Sequence, residues 1–261
     1  MNIIVFIKQI PDTSNVRLDP KTGNLRREGV ISKINPVDRN VLEAAMQIKE
    51  ACGATVTAVT MGPPQAKTVL LKALAFGCDQ AVLLSDRAFG GADTLATGYT
   101  LAAAVRKLGD FDLLLVGKNS DDGDTAQVGG AIAAFLDIPH VTLCSGIEAA
   151  DGFALCDRSL EGVVEKVRVR LPALVCITAE ANEPRYPSPA MILDALQKPL
   201  YIWNAEALDA DKTRTGSAGS PSITAKVFEP PKSKLITEYF EGTPREIAAG
   251  FVDMLAEQGL I

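Results

Sequence analysis

The stretch that decides the fold is GKNSDDGDTAQVGG, residues Gly117–Gly130. The run before it, Leu113–Val116, is short and wholly apolar, which is typical of a buried parallel strand. The sequence after it predicts a helix over Ala126–Leu136, with Asp124 or Thr125 capping the first turn. The stretch is therefore a glycine-rich loop between the carboxyl end of a strand and the start of a helix.

Such a loop collects unpaired backbone N–H groups, and these favour an anionic ligand such as a phosphate. Its three carboxylates, Asp121, Asp122 and Asp124, would repel a phosphate. If a nucleotide binds here, we expect these side chains to cap the helix or to bond ribose hydroxyls. The alternative is an ordinary strand-to-helix turn without a ligand, and the loop alone does not decide between the two.

Strands and helices alternate regularly from Asn2 to about Thr142. Strands are predicted at Asn2–Ile7, Thr55–Met61, Gln80–Leu84 and Leu113–Val116, and helices after Asn35, over Gln65–Phe76 and over Leu95–Leu108. This alternation predicts an α/β fold with a doubly wound parallel sheet. In such sheets, ligands bind at the carboxyl ends of the strands, near the point where the strand order reverses.

Four loops directly follow predicted strands and belong to one rim of the sheet, and Asn35–Asp38 is expected near them. The four loops are Phe6–Thr13, Met61–Pro64, Phe89–Thr94 and Gly117–Val128. The Asn35–Asp38 stretch has the pattern of a helix start, with an N-cap residue, a proline at the first position and an acid near the positive end of the dipole.

The pattern changes after Val141, where Val163–Leu171 alternates like a half-exposed antiparallel strand and predicts a small antiparallel addition. We therefore divide the chain into a nucleotide-binding domain, residues 1–200, and an extended C-terminal arm, residues 201–261. No strand–helix alternation is expected after Tyr201, and Gly216–Pro221 is expected to be a flexible connector. A capping box at Thr243–Glu246 opens a final helix, whose apolar face packs either on its own domain or on a partner subunit.

The composition excludes several classes of protein. A net charge of -6 without a basic run argues against nucleic acid as a partner, and no apolar stretch reaches the roughly eighteen residues of a membrane span. The 5 cysteines are scattered without a Cys-x-x-Cys pair, which indicates buried thiols in a reducing cytoplasm. The lone His140 is expected to be structural, and no metal site is expected.

No catalytic motif is visible either. The chain has neither Gly-x-Gly-x-x-Gly nor a Walker A motif, and no nucleophile–histidine pair stands out. The residues therefore predict a nucleotide-binding domain whose reactivity comes from the bound cofactor.

Seven motifs, taken together, resemble those of the β (small) subunit of electron transfer flavoproteins over essentially the whole chain. They are Val5–Thr13, Asn35–Asp38, Thr60–Ala66, Ala73–Asp79, Gly91–Thr94, Asp122–Gly129 and Asn182–Tyr186. The resemblance implies that the doubly wound sheet is of the adenine-nucleotide-binding type. It also implies an obligate heterodimer with a larger α subunit, whose FAD shuttles electrons to or from a flavin dehydrogenase of acyl-CoA or hydroxy-acid type.

In the ordinary respiratory branch of this family the β subunit holds AMP, and in the electron-bifurcating branch the same pocket holds a second FAD. That FAD takes a hydride from NADH and sends one electron each to a low-potential acceptor, such as ferredoxin or flavodoxin, and to a high-potential acceptor. The motifs Pro11–Thr13, Asp93–Thr94 and Asp124–Gly129 are similar to those of the bifurcating branch, as is the arm from Tyr201 to Ile261, so FAD is expected. The alternatives are structural AMP in the same fold and a stand-alone adenine-nucleotide sensor.

The resemblance also implies which residues bind the cofactor. They are Phe6, Lys8, Asn35, Pro36, Val37, Asp38, Met61, Gly62, Gly91, Ala92, Asp93, Thr94, Gly117, Lys118, Asn119, Asp122, Gly123, Asp124, Thr125, Ala126, Gln127 and Val128. The backbone of Asp124–Val128 should meet phosphate, and a flavin ring would extend toward Lys8 and the Phe89–Thr94 loop, where Phe89 is either core or a ring neighbour. The Asn182–Lys198 segment is either a dehydrogenase-docking segment or a rigid surface loop.

Overall fold

A computed structural model of the chain describes residues 1–12, 32–222 and 239–261. The chain divides into two compact units, Met1–Ala225 and Lys226–Ile261. The first unit contains the whole sheet, and the second contains the last helix.

The first unit is built on a nine-stranded sheet. Its strands are β1 (Asn2–Phe6), β4 (Thr55–Met61), β5 (Gln80–Leu84), β6 (Leu113–Gly117), β7 (His140–Ala150), β8 (Phe153–Leu160), β9 (Val163–Arg170), β10 (Ala173–Ile177) and β11 (Leu200–Trp203). Their spatial order is β11-β5-β4-β1-β6-β10-β7-β8-β9. The seven strands from β11 to β7 run parallel, and β8 and β9 extend the sheet as an antiparallel addition. The α/β class and the antiparallel addition are therefore confirmed.

Helices cover both faces of the sheet. They are α1 (Pro36–Cys52), α2 (Lys67–Phe76), α3 (Thr94–Leu108), α4 (Val128–Leu136) and α5 (Pro189–Ala195), and α6 (Pro244–Glu257) follows in the second unit. Alternate residues of β1 enter different cores: Ile3 packs with α1 and α2, whereas Ile4 packs with α3 and α4. This double covering explains why the parallel strands are continuous apolar runs.

A two-stranded antiparallel ribbon stands beside the sheet, between β1 and α1. It pairs β2 (Gln9–Pro11) with β3 (Ser32–Ile34). The sequence also predicts a hairpin-like segment after Thr13, up to about Ile31. This segment and Thr13 lie outside the described residues.

The start of α4 differs from the prediction. The helix begins at Val128 and not at Ala126, and Gln127 precedes it without a side-chain capping bond. Asp124 and Ala126 have φ angles of 45° and 53°, a left-handed conformation that ends any helix running through them. The predicted caps at Asp124 and Thr125 are therefore wrong, because this segment forms an irregular loop.

Two expectations about residues after 200 are also wrong. Leu200–Trp203 forms β11, which pairs in parallel with β5 at the edge of the sheet. The expected connector at Gly216–Pro221 begins with a 3-10 turn, Gly216–Gly219, that packs on the loop after β5. Gly216 is buried there with φ 53°, and an added Cβ would lie 2.2 Å from the carbonyl oxygen of Ala88, so only glycine fits.

The remaining sequence expectations have mixed outcomes. His140 begins β7 at the surface, and its ring approaches the α4 glycine Gly130. Four cysteines are buried free thiols, but Cys52 at the end of α1 is exposed. Within the described residues, every helix falls short of the length and apolar character needed to cross a bilayer.

Candidate functional site

The candidate site lies where the strand order reverses. β1 pairs with β4 on one side and with β6 on the other, although β6 comes two strands later in the chain than β4. The carboxyl ends of β1 and β6 therefore meet at a topological switch point, where α/β sheets bind ligands. Because β1, β4, β5 and β6 are parallel, the four predicted rim loops lie along one edge of the sheet, as expected.

Asp38, in the first turn of α1, is the most deeply buried carboxyl group at this edge, with 4% of its surface exposed. Its Oδ2 accepts a 2.6 Å hydrogen bond from the backbone N–H of Lys8, and its Oδ1 accepts a 3.0 Å bond from Nδ2 of Asn35. Burial raises the pKa of Asp38 to about 7, although both hydrogen bonds act to lower it. The carboxyl group therefore joins the end of β1 to the start of α1.

Asn35 does not cap α1 with its side chain, contrary to the prediction. Its Nδ2 donates to the carbonyl oxygen of Asn119 at 2.9 Å as well as to Asp38, and its Oδ1 accepts from the backbone N–H of Asp121 at 3.1 Å. Asn35 has no exposed surface. Its amide therefore connects α1 to the loop after β6.

Gly117 allows this close contact between β6 and α1. A Cβ atom at Gly117 would lie 2.5 Å from Oδ1 of Asp38 and 3.3 Å from Cγ1 of Val37. The glycine is needed so that the two elements can approach, which the sequence motif alone does not show.

The loop from Gly117 to Val128 folds back on itself before α4. The carbonyl oxygen of Ser120 accepts hydrogen bonds from the N–H groups of Gly123 (3.2 Å) and Asp124 (2.8 Å). The side chain of Asn119 donates to Asp124. Asp124 therefore has its N–H bound within the loop, and its carboxylate does not cap the helix.

Four successive N–H groups, those of residues 125–128, have no hydrogen-bond acceptor within the described part of the chain. They stand at the start of α4, where the helix dipole is positive, and residues 125–127 are exposed. This is the chemistry that a phosphate oxygen requires.

Lys8 faces the same loop. Its Nζ lies 2.7 Å from Oδ1 of Asp122 and 3.3 Å from Oγ of Ser120. Burial acts to raise the pKa of Asp122, but the hydrogen bonds from Lys8 and Ser120 lower it below its ordinary value. One of the three carboxylates is thus neutralised by a cation, which lessens its repulsion of an anionic ligand.

In the loop after β5, fewer polar groups are available to a ligand than the sequence predicts. The carboxylate of Asp93 accepts from the N–H groups of Leu95 (3.0 Å) and Ala96 (3.1 Å) and from the N–H and hydroxyl of Ser222. Asp93 therefore caps α3 and also binds Ser222, which follows the 3-10 turn Gly216–Gly219. Thr94 donates from its hydroxyl to Oε1 of Gln127 at 3.0 Å, so this loop and the loop after β6 are joined.

The other expected cofactor contacts are placed as follows. The Phe6 side chain is buried in the core under α3 and α4, so only its backbone faces the rim. Phe89 lies in the same core, which decides between the two alternatives for that residue. Met61 is the last residue of β4, and the N–H of Gly62, the next residue, donates to the carbonyl oxygen of Leu84. Gly91, Ala92, Pro36 and Lys118 lie on the loops or at the helix start of this rim.

Sequence reasoning missed Ser120, and it considered Asp121 only for its carboxylate and not for its backbone N–H. Ser120 accepts the turn hydrogen bonds, and Asp121 donates its N–H to Asn35. Ser-Asp-Asp-Gly is a turn-forming composition, so a turn was detectable, but its partner on α1 was not. Across residues 1–12, 32–222 and 239–261, no group of His, Cys, Asp or Glu side chains is arranged to hold a metal ion.

Comparison with known proteins agrees with this architecture. The electron transfer flavoprotein domain matches residues 22–208. The chain is 46% identical over 263 residues to "Caffeyl-CoA reductase-Etf complex subunit CarD" of Acetobacterium woodii, with 100% of both chains covered. It is 46% identical over 261 residues to "Electron transfer flavoprotein subunit beta" of Clostridium acetobutylicum, again with 100% of both covered.

A third relative is "Acryloyl-CoA reductase electron transfer subunit gamma" of Anaerotignum propionicum, at 39% identity over 269 residues and 100% of both chains. A domain match over most of the chain and full-length identity of this degree show the family. The chain thus belongs to the electron transfer flavoprotein family, among its β subunits.

Proposed function

We propose that this chain is the small subunit of a heterodimeric electron transfer flavoprotein and binds FAD at the rim formed by β1, β6 and α1. Together with an α subunit, it would carry electrons from NADH to ferredoxin or flavodoxin and to an acyl-CoA-type dehydrogenase by electron bifurcation. The observation that supports FAD binding is the row of N–H groups at residues 125–128, at the switch point of the sheet, which find no acceptor among the described residues.

The residues at this rim fit an adenine dinucleotide. The N–H groups of residues 125–128 would hold phosphate, and the rim near Asn35–Asp38 and Met61 would hold the adenosine. When bound, the flavin supplies hydride acceptance and one-electron transfer, and this chain binds and orients it. The bifurcating branch is favoured by the full-length similarity to CarD, which is named for a caffeyl-CoA reductase–Etf complex.

The second candidate is the same subunit with AMP in place of FAD. It is favoured by the ion pair between Lys8 and Asp122, because Lys8 stands where a flavin ring is expected and is already bound to the loop. In that case the redox chemistry would belong to the α subunit alone. The third possibility, a stand-alone adenine-nucleotide sensor, does not account for the arm. The full-length relatives that are named as subunits of electron transfer complexes also argue against a sensor.

We assign the partner contacts to two regions. The apolar face of α6 would clasp the α subunit, since Phe251 and Val252 are 47% and 51% exposed within the described residues. The Asn182–Lys198 segment would dock a dehydrogenase, since it exposes Tyr186, Leu193 and Leu196 at 83%, 67% and 65%. Exposed apolar side chains grouped on one segment are typical of interaction sites.

The deciding experiment is co-expression with the α subunit, followed by release and quantification of the bound cofactors. We expect two FAD per heterodimer and NADH oxidation that requires both a low-potential and a high-potential acceptor. One FAD plus one AMP would establish the second candidate instead.

A further inference from the structure

We propose that Asn35 is a positioning residue, which holds the Gly117–Val128 loop in its nucleotide-binding shape without contacting the nucleotide through its side chain. This inference rests on the proposed nucleotide site and assigns a distinct role to one of its residues.

The side-chain amide of Asn35 is already hydrogen-bonded to other groups of the protein. Its two N–H donors serve the carbonyl oxygen of Asn119 (2.9 Å) and Oδ1 of Asp38 (3.0 Å), and its oxygen accepts from the N–H of Asp121 (3.1 Å). The residue has no exposed surface. No donor of the amide is left for a ligand, and a ligand cannot reach it without displacing the loop.

The loop needs such a support, because its conformation is not one that its own residues favour. Asp124 and Ala126 have φ angles of 45° and 53°, a left-handed conformation that residues other than glycine adopt infrequently. Strain of this kind persists only when surrounding contacts over-determine the conformation. The two bonds from Asn35 hold the first half of the loop, and α4 holds its end.

Asparagine is suited to this role because one planar group carries both a donor and an acceptor. These two atoms match a carbonyl oxygen and an N–H group that are two residues apart, at Asn119 and Asp121. Asp38 completes the arrangement, because its carboxylate accepts from Asn35 and from the N–H of Lys8. The end of β1, the start of α1 and the loop after β6 are thereby connected by side-chain hydrogen bonds.

The test compares Asn35→Ala with Asn40→Ala in the heterodimer. Asn40 is a matched control, since it lies on the same helix, is 6% exposed, and donates from Nδ2 to the carbonyl oxygens of Ala179 (3.0 Å) and Asn182 (2.7 Å). Both variants lose buried hydrogen bonds, but only Asn35→Ala releases the Gly117–Val128 loop.

Two quantities are measured on heterodimer freed of nucleotide: the Kd for added FAD and for added AMP, and amide hydrogen exchange of the peptide spanning residues 117–128. We expect Asn35→Ala to weaken both ligands by about tenfold or more and to speed exchange in that peptide, with Asn40→Ala leaving both unchanged. Asn35→Ser, which keeps a hydroxyl in the buried space, should weaken binding in the same direction with a smaller loss of stability.

Unchanged affinity in Asn35→Ala and Asn35→Ser, beside a wild type that binds normally, would overturn this inference alone. Equal weakening in Asn40→Ala would also overturn it, because the effect would then be general destabilisation. A wild-type heterodimer that binds neither FAD nor AMP in this subunit would overturn the proposed function as well.

Discussion

At the level of single residues, the site depends on a carboxyl group that is both buried and hydrogen-bonded. Asp38 contacts the N–H of Lys8 and the amide of Asn35, and the charges that act on it are those of Lys8 and Asp121. Burial dominates, so its pKa of about 7 lies above the unfolded value of 3.8. A raised pKa means that folding favours the protonated form.

This shift predicts a pH-dependent stability. The contribution of Asp38 is fully present below pH 3.8 and is lost as the pH rises toward about 7. Between pH 5 and pH 8, wild-type stability should therefore fall by about 3 kcal/mol relative to Asp38→Asn, which does not titrate. Urea unfolding of both proteins at several pH values measures the difference.

The Asp38→Asn variant should also lose stability by an amount that does not depend on pH. When its oxygen accepts from Lys8, its NH₂ group faces the NH₂ group of Asn35, and two donors meet. A difference between the two proteins that stays constant from pH 5 to pH 8 would contradict the assignment of the raised pKa to Asp38.

Substitutions at two glycines of the Gly117–Gly130 stretch should have opposite effects on cofactor binding and stability. A Cβ at Gly123 would meet Oγ of Ser120 at 3.5 Å, an ordinary contact, whereas a Cβ at Gly129 would lie 2.6 Å from Sγ of Cys176. We expect Gly123→Val to fold with stability within about 0.5 kcal/mol of the wild type and to lose cofactor, because its side chain enters the ligand space. Gly129→Ala should instead destabilise the fold by about 1–3 kcal/mol through overpacking.

Cofactor content of the purified heterodimer and thermal unfolding together separate the two effects. If Gly123→Val retains its full complement of cofactor, the loop does not touch the ligand.

At the level of secondary-structure elements, α1 supports two functional segments at once. Asn35, directly before its first residue, holds the loop after β6, and Asp38 in its first turn bonds Asn35 and the end of β1. The following turns hold the segment after β10, where Asn40 and Asn182 exchange hydrogen bonds and Arg185 binds Glu43. The proposed nucleotide site and the proposed docking segment are therefore both stabilised by contacts with α1.

The ion pair between Arg185 and Glu43 should contribute strongly to stability. Glu43 is 4% exposed. Arg185 donates to it from Nε and from Nη2, each 2.8 Å from a carboxylate oxygen. Burial acts to raise the pKa of Glu43, but the hydrogen bonds from Arg185 bring it below the ordinary value. Arg185→Ala leaves a buried carboxylate without its partner, which costs about 3–5 kcal/mol in comparable cases.

Glu50 provides the control, because it also binds Arg185 but its side chain is 60% exposed. Glu50→Gln should cost less than about 1 kcal/mol. Denaturant unfolding measures the stability of both variants and of the double variant Arg185→Ala with Glu43→Gln. The double variant should lose less stability than Arg185→Ala alone, because it no longer buries an unpaired carboxylate. Equal costs for Arg185→Ala and Glu50→Gln would contradict this account.

At the level of the whole molecule, strand order decides which loops meet. The chain passes from β1 to β4 and β5 on one side and then returns to β6 on the other side of β1. Residues near Lys8 and Gly117, more than 100 positions apart, are brought together by this return. The C-terminal helix belongs to a separate unit, so the sheet and the helix can be tested independently.

Deletion of Thr243–Ile261 tests the arm. We expect the sheet unit to keep its unfolding temperature, because α6 belongs to the second unit, and the α subunit to co-purify in lower yield. A point variant refines the test: Ile247→Glu changes the apolar face, whereas Asp253→Asn changes the opposite face of the helix. Full recovery of the α subunit with the truncated chain would show that this helix does not hold the partner.

Much of the fold was predictable because it depends on local patterns. The strands Thr55–Met61 and Gln80–Leu84 have their predicted bounds, and the capping box of Thr243 and Glu246 is present. Apolar runs, helix stops and capping residues act over a few positions, so the chain contains that information in linear form. The strand β11 was not predictable in this way, since it is short and its pairing with β5 has no local signature.

The sequence by itself determined most of the strands and helices, the parallel sheet and the rim on which polar loops gather. Only the tertiary structure decided what those polar groups bind: Asn35 supports a loop, Asp93 holds the segment after residue 211, and Asp124 adopts a left-handed conformation. The physical reason is that hydrophobic periodicity is a property of neighbouring residues. The partner of a buried polar atom is set by which distant backbone groups the fold brings within about 3 Å.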